Sequence, residues 1–517
     1  MKPHTIILII IIVVAMAGIT IYKLISPSLA EQAAFQTSDA KDIKGTIRIA
    51  LDSWIGYFYL RSPVFKKLMR EDKYNIEIID DNANYAERMR RLKRGEIDMA
   101  VATVDSYLIN AVDVKFPATI IALIDESKGG DAIVAWGSKI DGLERLKSAV
   151  GYKIAFTPDS PSEYLLKSIG VHFNISALLD KKGAWRIETN GAEDAYKKLM
   201  AKQADVAVIW EPHVSQALSQ PGIIKLLGSE DTEKLIVDIL LVNRIFAEKN
   251  PEQVSLVLAD YFKTMKAYTD DKGMLKEDII KETKSTPENT EAMLEGVEWI
   301  NLRGNVRWFG LESGGALKDA GLAETVESTI GILIENGDFS ENPLLRGDPA
   351  TIINSSFIKQ LDAQGLDSAD ASQTTTSGSL QKKFSALTPE QWRELRQVGT
   401  LKIRPITFTS GTSELNSQGE QQVDMIVENI EHYPNFRILV KGHTGTRGDE
   451  KQNIILSQQR ADSVASYIIN KYHVDKNRVM AVGVGSSEPL QRADDESSRA
   501  YNDRLKRVEV LLVREEF

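Results

Sequence analysis

The chain has 517 residues, 43% of them hydrophobic and 26% charged, which suits globular protein and, at about 100–200 residues per domain, some three domains. A formal net charge of -10 argues against nucleic-acid binding, because phosphate contacts need basic patches. The absence of cysteine excludes disulfides, thiolate catalysis and Cys-based zinc sites. The six scattered histidines (His4, His172, His213, His432, His443 and His473) form no i, i+4 pair, so neither a metal nor any other cofactor is expected.

The first predicted element is a membrane segment. From Thr5 to Tyr22 there is no charged residue, and most positions are Ile, Val, Ala or Leu. At ~1.5 Å per residue the run approaches the ~30 Å hydrocarbon core, and it exceeds the ~7–15 residues usual for a signal-peptide core. Residues 1–30 are therefore expected to form one uncleaved N-terminal transmembrane helix, placing the bulk of the chain outside the cytoplasm. A cleaved signal peptide ending at Ser28-Leu29-Ala30 is the alternative.

After a polar stretch, strands and helices alternate. Thr46–Leu51 and Ile76–Ile79 read as strands with a helix over Phe65–Arg70 between them. Tyr85–Arg94 reads as a helix closed by Gly95, and Ile97–Val101 as the next strand. The pattern returns with a strand at Lys153–Phe156, a helix at Ser162–Ile169 and a strand at Asp205–Trp210. Such alternation predicts parallel α/β units, enough for two lobes across residues 45–335.

Three segments sharpen this. They are Leu92-Lys93-Arg94-Gly95-Glu96-Ile97-Asp98, Asp125-Glu126-Ser127-Lys128-Gly129-Gly130-Asp131 and Ala204-Asp205-Val206-Ala207-Val208-Ile209-Trp210-Glu211-Pro212. In order and spacing they resemble the type II periplasmic binding proteins of nitrate, sulfonate and taurine ABC importers, over about Gly45 to Gly310. The resemblance implies two α/β lobes closing on a small polar organic solute, with no chemistry. Thiamine-pyrimidine synthases share that fold, but they rely on histidine and cysteine, and this chain has no such cluster.

Ligands of α/β sheets sit beyond the carboxyl ends of the strands. Asp52, Ser53 and Trp54 follow the first strand. Ser127 and Asp131 flank a Gly-containing loop after Ile121–Ile124, and Trp210 and Glu211 end a later strand. The tryptophans are candidate walls and the short polar groups candidate anchors. The plainer reading is core packing for Trp and turn formation for Asp beside Gly. Ser160-Pro161-Ser162-Glu163 reads as a capping box, which accounts for these residues without a ligand. The same helix start is also an anion site through its free N–H groups, which makes Ser160 and Ser162 candidates. Glu163 would repel an anion there.

Residues 336–395 read as a linker, because Ser368–Gln381 is rich in Ser, Thr, Ala and Gly, with a short helix over Leu387–Val398 at its end. Residues 396–517 read as an α+β domain. Ser417-Gln418-Gly419-Glu420 reads as a capping box opening a helix that Pro434 ends. A strand follows at Phe436–Val440, a helix through Leu456, Val464 and Ile468, and strands at Val479–Val484 and Val508–Val513. Gly442-His443-Thr444, Asn453, Leu456-Ser457, Arg460-Ala461, Gly483, Gly485, Pro489 and Arg507-Val508-Glu509 make this part resemble OmpA-like peptidoglycan-binding domains, with Ile406–Leu415 matching the opening strand and loop. The resemblance implies a partner, the diaminopimelate-type wall peptide, held by an Asp after Gly-His-Thr and an Arg before Ala. The Arg is Arg460, but Gly445 stands where the Asp belongs. Thr444, Asp449, Asn453, Arg460 and Arg507 are the candidate wall-binding residues, Asp449 as a substitute for the missing carboxylate. Flagellar stator proteins also join one span to such a domain, but their span needs a carboxylate, and Thr5–Tyr22 has none.

The expectation is a non-enzymatic envelope protein, single-pass in the inner membrane. It would hold a periplasmic solute-binding or sensing module close to the cell wall. The alternatives are a scaffold whose lobes dock an envelope protein partner, and the substrate-binding component of an ABC importer.

Overall fold

A computed structural model describes residues 43–148, 151–312, 321–366, 380, 382–409 and 412–515. The predicted anchor lies outside them. No helix among the described residues is long and apolar enough to cross a membrane. In chain order the strands are β1 (Gly45–Leu51), β2 (Tyr74–Asp80), β3 (Met99–Thr103), β4 (Ala118–Ser127), β5 (Asp131–Trp136), β6 (Ile154–Phe156), β7 (Arg186–Glu188) and β8 (Val206–Trp210). They continue with β9 (Ile223–Gly228), β10 (Val237–Asn243), β11 (Val297–Trp299), β12 (Arg396–Thr400), β13 (Arg437–His443), β14 (Val479–Gly485) and β15 (Val508–Arg514).

Three sheets result, in the orders β11-β4-β10-β3-β1-β2, β7-β6-β8-β5-β9 and β12-β15-β13-β14. The first sheet takes strands from both sides of the second in sequence. The chain therefore leaves the first lobe after β4 and returns before β10, which makes a two-lobed module joined by two crossings. β1 pairs in parallel with β2 and β3, while β10 runs antiparallel between β3 and β4. β3, β4 and β10 are buried along their whole length, as a sheet covered on both faces requires. Helix Tyr85–Arg94 forms where its sequence predicts. Asn84 caps it by accepting from the Glu87 N–H, and Gly95 ends it at φ 67°, a left-handed turn that favours glycine.

Several expectations change. The strand expected at Ile97–Val101 is β3 and starts at Met99. Residues 349–363, expected within the linker, fold onto the first lobe. Ile352, Phe357, Ile358 and Leu361 are buried, and Asn354 N–H donates to the Ile120 carbonyl at 2.8 Å. Apolar spacing in this short segment was obscured by its polar neighbours. Of the segment Ser368–Gln381, all but Leu380 lies outside the described residues. The helix expected over Leu387–Val398 stops at Glu394, and the chain turns into β12 because an edge position beside β15 is open to it. The opening strand expected at Ile406–Leu415 is reduced to one bridge, Phe408 to Leu415. Helix Ser417–Glu431 is capped by Asn416, which accepts from the Gly419 N–H at 2.8 Å, so Ser417 is its first residue and no capping box forms.

The third sheet packs on the second lobe through aromatic rings. His172 donates or accepts at Tyr433 Oη (2.8 Å) and stacks on His432 with centroids 5.4 Å apart. Phe173 lies 5.2 Å from Tyr433, and a Cβ on Gly399 would overlap the Phe173 ring. The Lys402 N–H donates to the His172 carbonyl at 2.7 Å, and Arg514 pairs with Asp231 at 3.4 Å.

Candidate functional site

Strand ends and helix starts of both lobes meet where the chain crosses between them. β4 runs through Ser127 and β5 begins at Asp131, so the predicted loop is only Lys128–Gly130. Ser127 Oγ donates to Asp131 Oδ2 at 2.7 Å. Ser229, on the second crossing, lies 2.8 Å from Ser127 Oγ and accepts from the Gly129 and Asp131 N–H groups. Asp131 faces Trp210 in the register of β5 with β8. The Trp54 indole donates to Asp125 Oδ1 at 3.2 Å, and a Cβ on Gly130 would overlap that indole. Trp54, Ser127, Asp131 and Trp210 are thus gathered at one place, Trp210 half-buried and the others buried.

The remaining predicted residues have local duties. Asp52 accepts from the Trp54 N–H (3.0 Å) and from Arg88 Nη2 (3.1 Å). Ser53 is exposed, and its carbonyl accepts from Arg61. Glu211 accepts from the Ser215 hydroxyl (2.6 Å) and N–H (3.1 Å), bracing helix His213–Leu218. The capping box expected at Ser160 does not form, although Ser160 is at N-cap and Pro161 at N1. The Ser160 hydroxyl instead donates to the Thr157 carbonyl at 2.7 Å. Glu163 takes the Asp159 N–H at 2.9 Å, with Arg186 at 2.6 Å and Lys167 at 3.4 Å neutralising it. Ser162 is fully buried, and its hydroxyl has no hydrogen-bond partner.

Sequence reasoning missed the carboxyls that complete this region. Asp125 on β4, Asp238 on β10 and Asp105 just after β3 are all buried. Tyr57 donates to Asp238. Burial, together with the neighbouring Asp125, holds the Asp238 carboxyl well above the usual carboxylate range. Burial pushes Asp131 up to about 7 and Asp105 up to about 6. Arg88 is a fully buried cation. It bonds Asp52, Asp81 and the Val101 carbonyl (2.7 Å) and lies 4.7 Å from the Tyr85 ring. Its signal was present, since Tyr85, Arg88, Met89 and Leu92 fall on one helical face.

In the C-terminal domain the Arg460 guanidinium lies 5.1 Å from the Phe408 ring centre, and its Nε has no hydrogen-bond partner. The Thr444 hydroxyl is buried without a partner as well. Gly445 has open space. The nearest atoms to an added Cβ belong to Asn502 and Lys506, 3.7 Å away. Asp449 caps helix Glu450–Tyr472 by accepting from the Gln452 N–H at 3.0 Å, and Asn453 Nδ2 donates to the Arg447 carbonyl at 3.1 Å. Arg507 bonds Glu509 (2.6 Å) and the carbonyls of Leu505 and Glu488, so its donors serve the domain itself. Burial alone would push Glu509 up, but His443 and Arg507 hold it down at about 2.

A cavity of about 1100 Å³ lies between helices Gly321–Glu335 and Ser417–Glu431. It is lined by charges of both signs, including Glu233, Lys234, Glu335 and Lys402. Its lining mixes charges of both signs, whereas the strand-end region brings buried polar groups together.

Residues 407–503 match the OmpA family. A peptidoglycan-associated lipoprotein of Buchnera aphidicola is 29% identical over 155 residues, 30% of this chain and 87% of that protein. Outer membrane protein Omp38 of Acinetobacter baumannii is 30% identical over 119 residues, 23% of this chain, and the chain spans only 33% of its length. Among solved structures, the alkanesulfonate-binding protein SsuA of Xanthomonas axonopodis pv. citri, bound to MOPS, is similar with TM-score 0.46 and 15% identity, covering 61% of this chain and 99% of that one. The nitrate-binding protein NrtA of Synechocystis PCC 6803 is similar with TM-score 0.48 and 13% identity, covering 63% and 89%. The chain therefore carries an OmpA-family domain at its C-terminal end, joined to a two-lobed α/β module.

Proposed function

We propose that this protein is a non-enzymatic envelope protein that tethers a periplasmic solute-binding or sensing module to the inner membrane and the cell wall. The observation that carries the reading is the convergence of Trp54, Ser127, Asp131 and Trp210 between two lobes of a chain that also holds an OmpA-family domain. A small polar organic solute would sit there, with the lobes closing over it. Asp52, Ser160, Ser162 and Glu211 would shape the surroundings, and Ser53 the exposed rim. The likeness to the Buchnera peptidoglycan-associated lipoprotein supports the wall half, with Arg460 as the main anchor and Thr444 and Asn453 beside it. The charge-free run Thr5–Tyr22 supports the membrane half.

The test of the solute half is a thermal-shift screen of the full chain against small polar metabolites. A solute at 100 times its Kd adds ~2.7 kcal/mol to the folded state, which raises Tm by several degrees. If no solute raises Tm, the solute-binding half is wrong. A second reading, that the lobes dock a protein partner, is favoured by the Trp54 indole, which packs over Gly130 and occupies space between the crossings.

A further inference from the structure

We propose that the cleft between the lobes takes an organic cation, an ammonium or guanidinium group carried on a small molecule. The inference rests on the solute-binding reading above and names its ligand class. Five carboxyls, Asp52, Asp105, Asp125, Asp131 and Asp238, come to the cleft from the ends or starts of β1, β3, β4, β5 and β10, each at most 4% exposed. Against them stands Arg88, and it is already shared between Asp52 and Asp81. Lys167, whose charge acts on Asp105, is held by Glu163 and Asp338. The cleft therefore carries more acid than base, and an anion entering it would meet buried carboxyls with no unshared cation to offset them.

Unsatisfied atoms point the same way. Helix Val104–Ala111 of the first lobe abuts helix Pro161–His172 of the second, where Asn110 Nδ2 donates to the Asp159 carbonyl at 3.2 Å. In the first turn of the former, Asp105 is 1% exposed and its Oδ1 has no hydrogen-bond partner. In the first turn of the latter, Ser162 is fully buried with an unpartnered hydroxyl, and the Thr157 hydroxyl just before that helix is in the same condition. Buried polar atoms are ordinarily paired, so a cluster of three at one seam marks room for a donor that the chain does not supply. The Asp105 carboxylate oxygen can only accept, so it calls for an N–H donor, and the two hydroxyls can accept from the same group. Both helix starts already carry an acid, Asp105 and Glu163, which answers the positive end of each helix and removes the usual attraction for an anion. The Trp54 and Trp210 rings supply faces on which an alkylammonium is stabilised. Raised Asp105 and Asp131, at about 6 and about 7, are the state of carboxyls waiting for a counter-charge. Among the described residues no three His, Asp or Glu side chains are arranged to hold a metal ion.

The experiment is isothermal titration of the full chain at pH 7.5 with putrescine and agmatine, and in parallel with taurine, ethanesulfonate and nitrate. The expected result is one-to-one binding of at least one cation and of no anion, with Asp105→Asn and Asp131→Asn each weakening it tenfold or more. The preference of the wild-type chain is itself decisive, so a poorly folding variant does not remove the test. Binding of an anion alone overturns the inference and leaves the solute-binding reading standing. Binding from neither set overturns both.

Discussion

The contact between the second lobe and the C-terminal domain should weaken in mild acid. His172 is buried, its Nδ1 on Tyr433 Oη, and its ring on His432, which is half-buried. His432 Nδ1 faces the Glu233 carbonyl at 3.0 Å, so it is the donor there, and Nε2 meets the Ser328 hydroxyl at 3.0 Å. Burial and the neighbouring His432 hold His172 well below its usual value, and burial lowers His432 as well. Both rings are thus neutral when docked, and the released form binds more protons. The docked state has its full stability above the ordinary histidine range and loses it as pH falls through that range. With a released pKa of ~6.5, His172 alone costs docking about 1.4 kcal/mol at pH 5.5, a tenfold change, and His432 adds up to as much again. Because the chain has no cysteine, a dye pair can be placed at Gln220→Cys and Lys451→Cys, both exposed positions on the two partners. Urea titration of energy transfer at pH 7.5 and 5.5 gives the release free energy. The reasoning fails if the two pH values give the same free energy, or if His172→Phe with His432→Phe shows the same acid loss as the parent.

Three further outcomes follow from the geometry. Arg88→Ala strands the Asp52 and Asp81 carboxylates in the first lobe and should cost ~3–5 kcal/mol by chemical denaturation, and a loss below ~1 kcal/mol would contradict the pairing. Gly130→Ala displaces the Trp54 indole, so tryptophan emission should shift to the red and stability fall by ~1–3 kcal/mol, whereas an unchanged spectrum would place the indole elsewhere. Gly445→Asp has space for its side chain beside Lys506 and returns the carboxylate that a wall ammonium needs. Retention on sacculi should rise about tenfold, and no gain would mean that this position does not face the ligand.

Regular elements were legible in the sequence where local chemistry and tertiary packing agree. Helix Tyr85–Arg94 has its periodic apolar face, its Asn cap and its terminal Gly95, and β1 and β2 are rich in β-branched residues. β12 was not legible, because Arg396–Thr400 has no strong pattern and becomes a strand only by pairing with β15. The capping box at Ser160 failed for a related reason. The sequence offered the right residues, but the Thr157 carbonyl and the Asp159 N–H compete for the same side chains once the turn is folded. Within the site, Trp54, Ser127, Asp131 and Trp210 could be picked out because each stands at a strand end. Asp105 and Asp238 stand at strand boundaries too, but single acids beside apolar strands look like surface residues until burial is known. Arg88 was hidden among four arginines of one helix, and only its alignment with Met89 and Leu92 set it apart.

The claim that this chain is held on the wall through its OmpA-family domain is tested most directly by co-sedimentation of the full protein with purified diaminopimelate-type sacculi, comparing the parent with Arg460→Ala. Arg460 keeps an unpartnered Nε over Phe408, and no ion pair to it is present among the described residues; under the proposed function a wall-peptide carboxylate would pair with it. The account predicts that the parent pellets with the sacculi, that free diaminopimelate releases it, and that Arg460→Ala stays in the supernatant. A parent protein that stays in the supernatant, or an Arg460→Ala variant that pellets equally well, would contradict it.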